Sequence, residues 1–351
     1  MTPRRMKGKG VPPKALSPRA TVVVPNWNGE RFLSSCLGSL GGQSFEDFET
    51  FVVDNGSTDG SVALVGRDFP EVRVLSLDEN RGFSVAVNAG IKFSTSEYVA
   101  LLNNDTEVDP GWLEALIRAA DSHPEAGFFA SKLVDFDDRR VLDGAGDALR
   151  RSGLPYRLGH GEPDHGQYDR AAFVFGACAG AALYRRGMLD DVGLFDEDFF
   201  ANCEDGDLSF RAQLAGYRCL YVPESVVYHM GSATFGKRSP TATRLGTQNS
   251  LCMLVKNLPA PLVPAFLPFV AAGQISRLVV TASTHTLRAH LEGLAGALHL
   301  LPLMLKKRRE IQERRRVPVE YVRQLLKEST RAAGASLRRR LTYRVKARLG
   351  S

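Results

Sequence analysis

The chain has 351 residues, 44% of them hydrophobic, which suits one large domain or two ordinary ones with a sizeable core. Its five cysteines, Cys36, Cys178, Cys203, Cys219 and Cys252, include no C-x-x-C pair. The odd count argues against a disulfide framework or a zinc knuckle and for a reducing compartment. The net charge of +6 is unevenly divided: six Lys/Arg and no acid over Met1–Arg19, and sixteen Lys/Arg against four Glu from Lys306 to Ser351. Removing +6 and +12 for those two ends leaves −12 between them. An acidic body suits a site rich in carboxylates. Basic ends suit an anionic surface such as lipid headgroups or nucleic acid, or are solvated tails. The basic, Pro-rich Met1–Arg19 has no apolar stretch of the kind a signal peptide needs, and is expected to be disordered.

From residue 20 onward, short apolar runs alternate with helical patterns. Thr21–Pro25, Thr50–Asp54, Val72–Leu77 and Tyr98–Leu102 read as strands. Glu30–Leu40, Phe83–Phe93 and Gly111–Ala120 read as helices. Such alternation predicts βαβ units, an α/β fold and a mostly parallel sheet. Ligands of such sheets lie beyond the carboxyl ends of the strands, here Asn26–Asn28, Asp54–Ser57 and Asn103–Asp105. Further on, Gly127–Phe136, Phe173–Tyr184, Cys219–Val222 and Val226–His229 are expected strands, with long Gly/Asp/Arg-rich loops before Phe173. Glu204–Ala215 is an expected helix with Gly216 as its stop signal. Asn257–Ser276 has no charged residue and the length of a membrane span, but Pro259, Pro261, Pro264 and Pro268 are expected to break a regular helix. Leu287, Leu291, Leu294, Leu298 and Leu301 then recur at helical spacing, for packing on the body or for an interface.

Four segments at strand ends carry chemistry-bearing residues. In Val24-Pro25-Asn26-Trp27-Asn28-Gly29, Trp27 could stack on a nucleobase or fill the core. In Val53–Ser61, the Asp54 carboxylate could accept from a base or a ribose hydroxyl, and Asp59 could cap the next helix. In Asn80-Arg81-Gly82-Phe83, Arg81 could meet a diphosphate or be a surface arginine. In Leu101-Leu102-Asn103-Asn104-Asp105-Thr106, a carboxylate ends an apolar strand, where a hard divalent cation would stabilise it. Each is weak alone.

Taken in order, V-P-N-W-N-G, V-D-N-G-S-T-D-G-S, E-N-R-G-F and L-L-N-N-D-T resemble the donor half of family 2 glycosyltransferases. Downstream, Phe175–Arg186, Val192–Phe200, Glu204–Arg211 and Tyr228–Thr234 resemble the rhamnosyltransferase-like branch of that family. The resemblance implies a GT-A fold, with a catalytic domain over 20–256 (donor half about 20–125, acceptor half about 126–256) and a helical basic region over 257–351. It implies an inverting transferase using a dTDP-, UDP- or GDP-sugar on a glycan or lipid-linked acceptor in cell-surface polysaccharide synthesis, with no nucleic acid partner. Trp27 would stack on the base, with Pro25, Asn28, Asp54, Asn55 and Arg81 around the donor. Asn103, Asn104 and Asp105 occupy the D-x-D position, of which only the last carboxylate is present. Asp105 and His229 would hold Mg²⁺ or Mn²⁺, and Asp205 would be the general base. The C-terminal region suggests an enzyme at the cytoplasmic face of an anionic membrane. A nucleotidyltransferase would instead need a Gly-rich, Arg-containing loop after the first strand. A non-catalytic membrane- or RNA-binding module would leave Asp105, Asp205 and His229 unexplained.

Overall fold

The computed structural model describes residues 17–231 and 239–349. Most of the expected basic N-terminal tail and the Ser232–Thr234 end of the Tyr228–Thr234 segment lie outside those residues. The first half alternates as the sequence pattern demands: β1 (Ala20–Asn26), α1 (Glu30–Gly41), β2 (Phe48–Asn55), α2 (Ser61–Asp68), β3 (Arg73–Leu77), α3 (Phe83–Phe93) and β4 (Tyr98–Leu102). These four strands are parallel, in the spatial order β4-β1-β2-β3. The chain moves outward from β1 through β3 and then crosses back to the other side of β1. That reversal opens a crevice at the carboxyl ends of β1 and β4, where ligands bind in such sheets. All five residues of β4 are buried, as a central strand covered on both faces requires.

The second half adds β5 (Thr106–Val108), α4 (Trp112–Ser122), β6 (Ala126–Asp135), β7 (Val141–Ala145), β8 (Asp147–Leu149), β9 (Pro155–Arg157), β10 (Glu162–Pro163), β11 (Ala172–Val174), β12 (Ala181–Arg185), α5 (Arg186–Val192), α6 (Glu204–Leu214) and β13 (Arg218–His229). β12 inserts antiparallel between β4 and β6 and so joins the two halves in one mixed sheet. Two expectations change here. Phe173–Tyr184 is two strands, because Phe175–Gly180 leaves the sheet as a loop whose Gly180 carbonyl accepts from Asn103 N at 2.9 Å. Cys219–Val222 and Val226–His229 are one strand, β13, whose register on β6 shifts between Val222 and Val226. Pro223 falls in that shift, where its lack of an N–H is tolerated.

Among the described residues four α-helices follow: α7 (Pro240–Asn257), α8 (Val263–Ser283), α9 (Leu287–Glu313) and α10 (Val319–Leu349). The prolines do not break α8. Pro259 and Pro261 precede it, Pro264 lies in its first turn where no N–H partner is lost, and only Pro268 is interior. α9 packs along α7 through Ala289, His290 and Gly293. A Cβ at Gly293 would lie 2.5 Å from the Arg244 carbonyl oxygen, so the close approach needs glycine there. The leucine stripe is turned elsewhere: Leu287, Leu291 and Leu298 are exposed. α10 returns along the body, where Ser329 Oγ accepts from Leu149 N at 2.7 Å and Arg339 pairs with Glu162 at 2.7 Å.

Candidate active site

Two clusters line the strand ends. The donor-side cluster starts at Asn26, whose Nδ2 donates to Asp54 Oδ1 and to Ser57 Oγ, both at 3.2 Å, and whose Oδ1 accepts from Asn104 Nδ2 at 2.7 Å. Asn26 thus ties three strand ends together, a role the sequence did not single out. A Cβ at Gly29 would fall 2.0 Å from Asn104 Nδ2, so the close packing of this turn depends on glycine. Asn28, in the left-handed region at φ 50°, accepts from Thr58 N at 2.8 Å, and its own N–H donates to Ser57 Oγ. Pro25 is a β1 residue, paired with Val53 in the sheet. Asp54 is buried at the end of β2. Asn55 holds the next loop: its Oδ1 accepts from Arg81 N and its Nδ2 donates to the Gly82 carbonyl. The Arg81 side chain is exposed, and Trp27 is 38% exposed, so Trp27 is not a core residue. Asp59 accepts from Glu30 N at 3.0 Å and Ser61 N at 3.1 Å, joining the starts of α1 and α2 as a helix-terminus residue.

The second cluster joins the acceptor half. β13 pairs with β5 so that His229 lies opposite Thr106, bringing its imidazole beside Asp105. His229 Nε2 is 3.5 Å from Asp105 Oδ1, and its Nδ1 is 2.7 Å from Asp143 Oδ2. Burial works against a charged imidazole here, but Asp105 and Asp143 outweigh it and push His229 up to about 9. Asp143 also meets Arg157 Nη1 at 2.7 Å and His160 Nδ1 at 2.9 Å. Burial would raise its pKa, yet Arg157 and the two histidines hold it well below the usual carboxylate range.

Arg157 continues the line, its Nη2 lying 2.9 Å from Cys178 Sγ. Cys178, Asp147 and Asp205 have donor atoms within 4.8 Å of one another. Burial pushes the Cys178 thiol up to about 12, and the adjacent guanidinium competes with any cation, so this trio is a poor metal site. Burial and the Asp205 charge push Asp147 up to about 7. Burial also raises Asp205, opposed by the Gly206 N–H, which donates to its Oδ1 at 2.7 Å, and by Arg157. A continuous line of side chains therefore runs from Asp105 through His229, Asp143, Arg157 and Cys178 to Asp147 and Asp205.

Asp205 stands at the start of α6, after Asn202 and Cys203 at φ 70° and 68°, both left-handed and neither a glycine. Such strained pairs persist only where their surroundings impose them. Asn249 of α7 does so, donating to the Ala201 carbonyl at 3.0 Å and the Asn202 carbonyl at 2.9 Å. Glu204 and Asp207 do not rival Asp205 as a base. Glu204 is buried with one carboxyl oxygen unpartnered, and burial, with the Asp205 charge, pushes its carboxyl well above the usual range. Asp207 is neutralised by Lys256 at 2.8 Å and Arg211 at 2.9 Å.

Asp143, Asp147 and Arg157 were not singled out from sequence. Two carboxylates four residues apart in Asp143-Gly-Ala-Gly-Asp147, inside an otherwise loop-like stretch, were the available signal.

A doubly wound α/β sheet with a polar crevice at its switch point, extended by an antiparallel half that supplies carboxylates and a histidine, defines a GT-A glycosyltransferase. Residues 21–193 match the family model described as Glycosyl transferase family 2, so the chain carries a family 2 glycosyltransferase domain. It is similar to an N-acetylglucosaminyl-diphospho-decaprenol L-rhamnosyltransferase of Mycobacterium tuberculosis, 29% identical over 244 residues, covering 62% of this chain and 77% of that one. It is also similar to the pre-mycofactocin glycosyltransferase of the same species, 29% identical over 223 residues, covering 62% of this chain and 44% of that one. The fold matches the mannosyltransferase PcManGT of Pyrobaculum calidifontis, solved with GDP-Man and Mn²⁺, at TM-score 0.51 and 19% identity, over 92% of this chain and 87% of that one. It also matches S. aureus TarS residues 1–349, at TM-score 0.52 and 18% identity, over 84% of this chain and 90% of that one.

Proposed function

We propose that this glycosyltransferase moves a sugar, with rhamnose as the leading candidate, from a nucleotide-sugar donor to a hydroxyl of a glycan or lipid-linked glycan, inverting the anomeric centre. The observation that carries this reading is the unbroken line of polar side chains from Asp105 and His229 to Asp205, which links a diphosphate-side group to a base-side group across one crevice. The lipid-linked rhamnosyl acceptor of the M. tuberculosis relative supports the substrate class.

The exposed Trp27 stacks on the donor base, and the buried Asp54, fixed by Asn26, reads the nucleoside. Pro25, Asn28, Asn55 and Asn104 hold the backbone around it, Asn103 faces the donor sugar or ribose, and Arg81 reaches the diphosphate. Asp205 takes the proton from the acceptor hydroxyl. The neighbouring Asp147 keeps a proton up to about 7, so the pair carries a single negative charge available for that task. One carboxylate oxygen and one imidazole nitrogen, with Asp143 orienting the ring from the far side, fit a divalent Mg²⁺ or Mn²⁺ ion held by Asp105 and His229. When bound, such an ion neutralises the charge that develops on the departing nucleoside diphosphate.

The location that fits is peripheral, at the cytoplasmic face of a membrane. Ala260–Ser283 is long and apolar enough to cross a membrane, yet only Phe266, Gly273 and Thr281 of α8 are buried. Leu267, Ile275 and Val279 are more than half exposed, next to a strongly basic C-terminal segment. The test of the catalytic reading is a panel of dTDP-, UDP- and GDP-sugars assayed for turnover with and without Mn²⁺. Donor turnover that needs the metal supports the scheme, and full turnover in EDTA overturns the metal's part in it.

A further inference from the structure

A cavity of about 360 Å³ lies where the turn before α8 meets the second half of α9, bounded by Pro259, Pro261, Leu305, Arg308, Arg309 and Arg315. Three arginines line it, Arg308, Arg309 and Arg315, and among the described residues none of them has a carboxylate partner within salt-bridge distance. Arg308 donates one N–H to the Val255 carbonyl at 2.5 Å, and Arg315 one to the Val317 carbonyl, which fixes where the rest of each group points. Arg315 Nε is buried without any partner. Buried or half-buried guanidinium N–H groups left unmatched are costly, and a tetrahedral oxyanion matches their planar forks.

Beside the arginines the lining is mostly apolar, from Pro259, Pro261 and Leu305. Leu305, which lines it, is 50% exposed. Val263 and Leu267, one turn apart on the adjoining start of α8, are 40% and 61% exposed. A free phosphate would have no use for that apolar side, whereas a phosphate carried on acyl chains would use both parts. We propose that this cavity holds the phosphate of an anionic membrane phospholipid while Leu305, Val263 and Leu267 contact its acyl region. The inference rests on the membrane-peripheral reading of α8 and gives it a specific anchoring site, one that shares no residue with those assigned to the donor and to the base.

The test is co-sedimentation of the full-length protein with phosphatidylcholine vesicles, with and without phosphatidylglycerol, at low salt. Wild type is expected to bind the phosphatidylglycerol vesicles. The triple variant Arg308→Gln, Arg309→Gln, Arg315→Gln is expected to lose affinity for them by at least about tenfold, with binding to neutral vesicles unchanged. A charge-matched control, Lys327→Gln, Arg331→Gln, Arg338→Gln, removes three exposed cations from α10 and is expected to lose much less. The charge-keeping Arg308→Lys, Arg309→Lys, Arg315→Lys variant is expected to fall between wild type and the glutamine triple. Equal losses in the glutamine triple and the α10 control overturn the cavity site and leave the peripheral reading standing. Failure of wild type to bind either vesicle overturns both. Inorganic phosphate that raises the melting temperature of wild type but not of the cavity triple, without vesicle binding, would identify a free-anion site instead and overturn the lipid assignment.

Discussion

Asp143 accepts from Nδ1 of His229 at 2.7 Å, so the opposite ring nitrogen is the one that faces Asp105. The same carboxylate is pinned by Arg157 and His160, which leaves it little freedom to reorient. A carboxylate behind a metal-binding histidine fixes its tautomer and direction. Asp143→Ala is therefore expected to weaken divalent-metal activation about 10- to 100-fold, without touching the donor itself. Mn²⁺ titration of turnover checks this, with His229→Ala and Asp105→Ala as the direct ligand variants. Unchanged metal dependence in all three would remove the assigned metal site.

Asp205→Asn is expected to lower turnover at least about 10²-fold while donor binding stays near wild type, since the residue sits on the acceptor side of the line. Equilibrium binding of the nucleotide-sugar separates the two effects. Wild-type turnover in this variant would place the base elsewhere, and the ion-paired Asp207 and the buried Glu204, with its one unpartnered oxygen, offer no ready substitute.

The Asp147–Asp205 pair also makes stability depend on pH. The folded-state pKa of Asp147 is raised to about 7, by burial and by the Asp205 charge, above that of an unfolded aspartate. The protonated pair therefore supports the fold fully at low pH, and that support is lost as pH rises through about 7. Asp147→Asn keeps a neutral group at every pH. The wild-type melting temperature is expected to fall between pH 6 and pH 8 by more than that of the variant. Parallel curves would show that the two carboxylates do not share a proton.

Much of this candidate site is legible in the sequence, and the reason is local. Asn26, Asp54 and Asp105 each end an apolar run, and a parallel sheet delivers such residues to one edge whatever happens elsewhere in the chain. Phe83–Phe93 and Tyr98–Leu102 have the bounds expected from their periodicity. Asp143, Asp147 and Arg157 were hidden because β7, β8 and β9 are short and pair locally, so no hydrophobic period announces them. Their meaning comes from contacts 86 residues apart, such as His229 with Asp143, which no window along the chain contains. Asn249 was hidden for the same reason: its targets lie 48 and 47 residues earlier.

Trp27→Ala is expected to weaken donor binding with a smaller effect on turnover at saturation. An indole that is 38% exposed, on a turn whose backbone Asn28 fixes, is already placed for a base. Loss of stacking costs about 1–3 kcal/mol per base, or roughly 5- to 150-fold in affinity. The free nucleoside diphosphate should lose as much affinity as the nucleotide-sugar, because the contact is with the base. A loss confined to the sugar would show that Trp27 faces the transferred group.

The 20–256 and 257–351 segments are expected to unfold as one unit. Lys256 is 1% exposed, and its ammonium meets Asp196 at 2.5 Å and Asp207 at 2.8 Å. Lys307 of α9 meets the same Asp196, and Asn257 Nδ2 donates to Asp207 at 2.7 Å. These contacts join α6 to the C-terminal helices through one buried charge. Lys256→Ala removes that charge and leaves Asp196 to Lys307 and Asp207 to Arg211, a loss toward the lower end of the about 3–5 kcal/mol that breaking a buried ion pair costs. The expected result is a single unfolding transition moved to lower temperature, with near-UV and far-UV circular dichroism lost together. If the two segments are independent, the variant should instead split the transition, or shift only the part reported by the C-terminal helices. Lys256→Met keeps most of the side-chain volume but not the charge, and a loss close to that of Lys256→Ala would show that electrostatics rather than lost side-chain volume set the penalty.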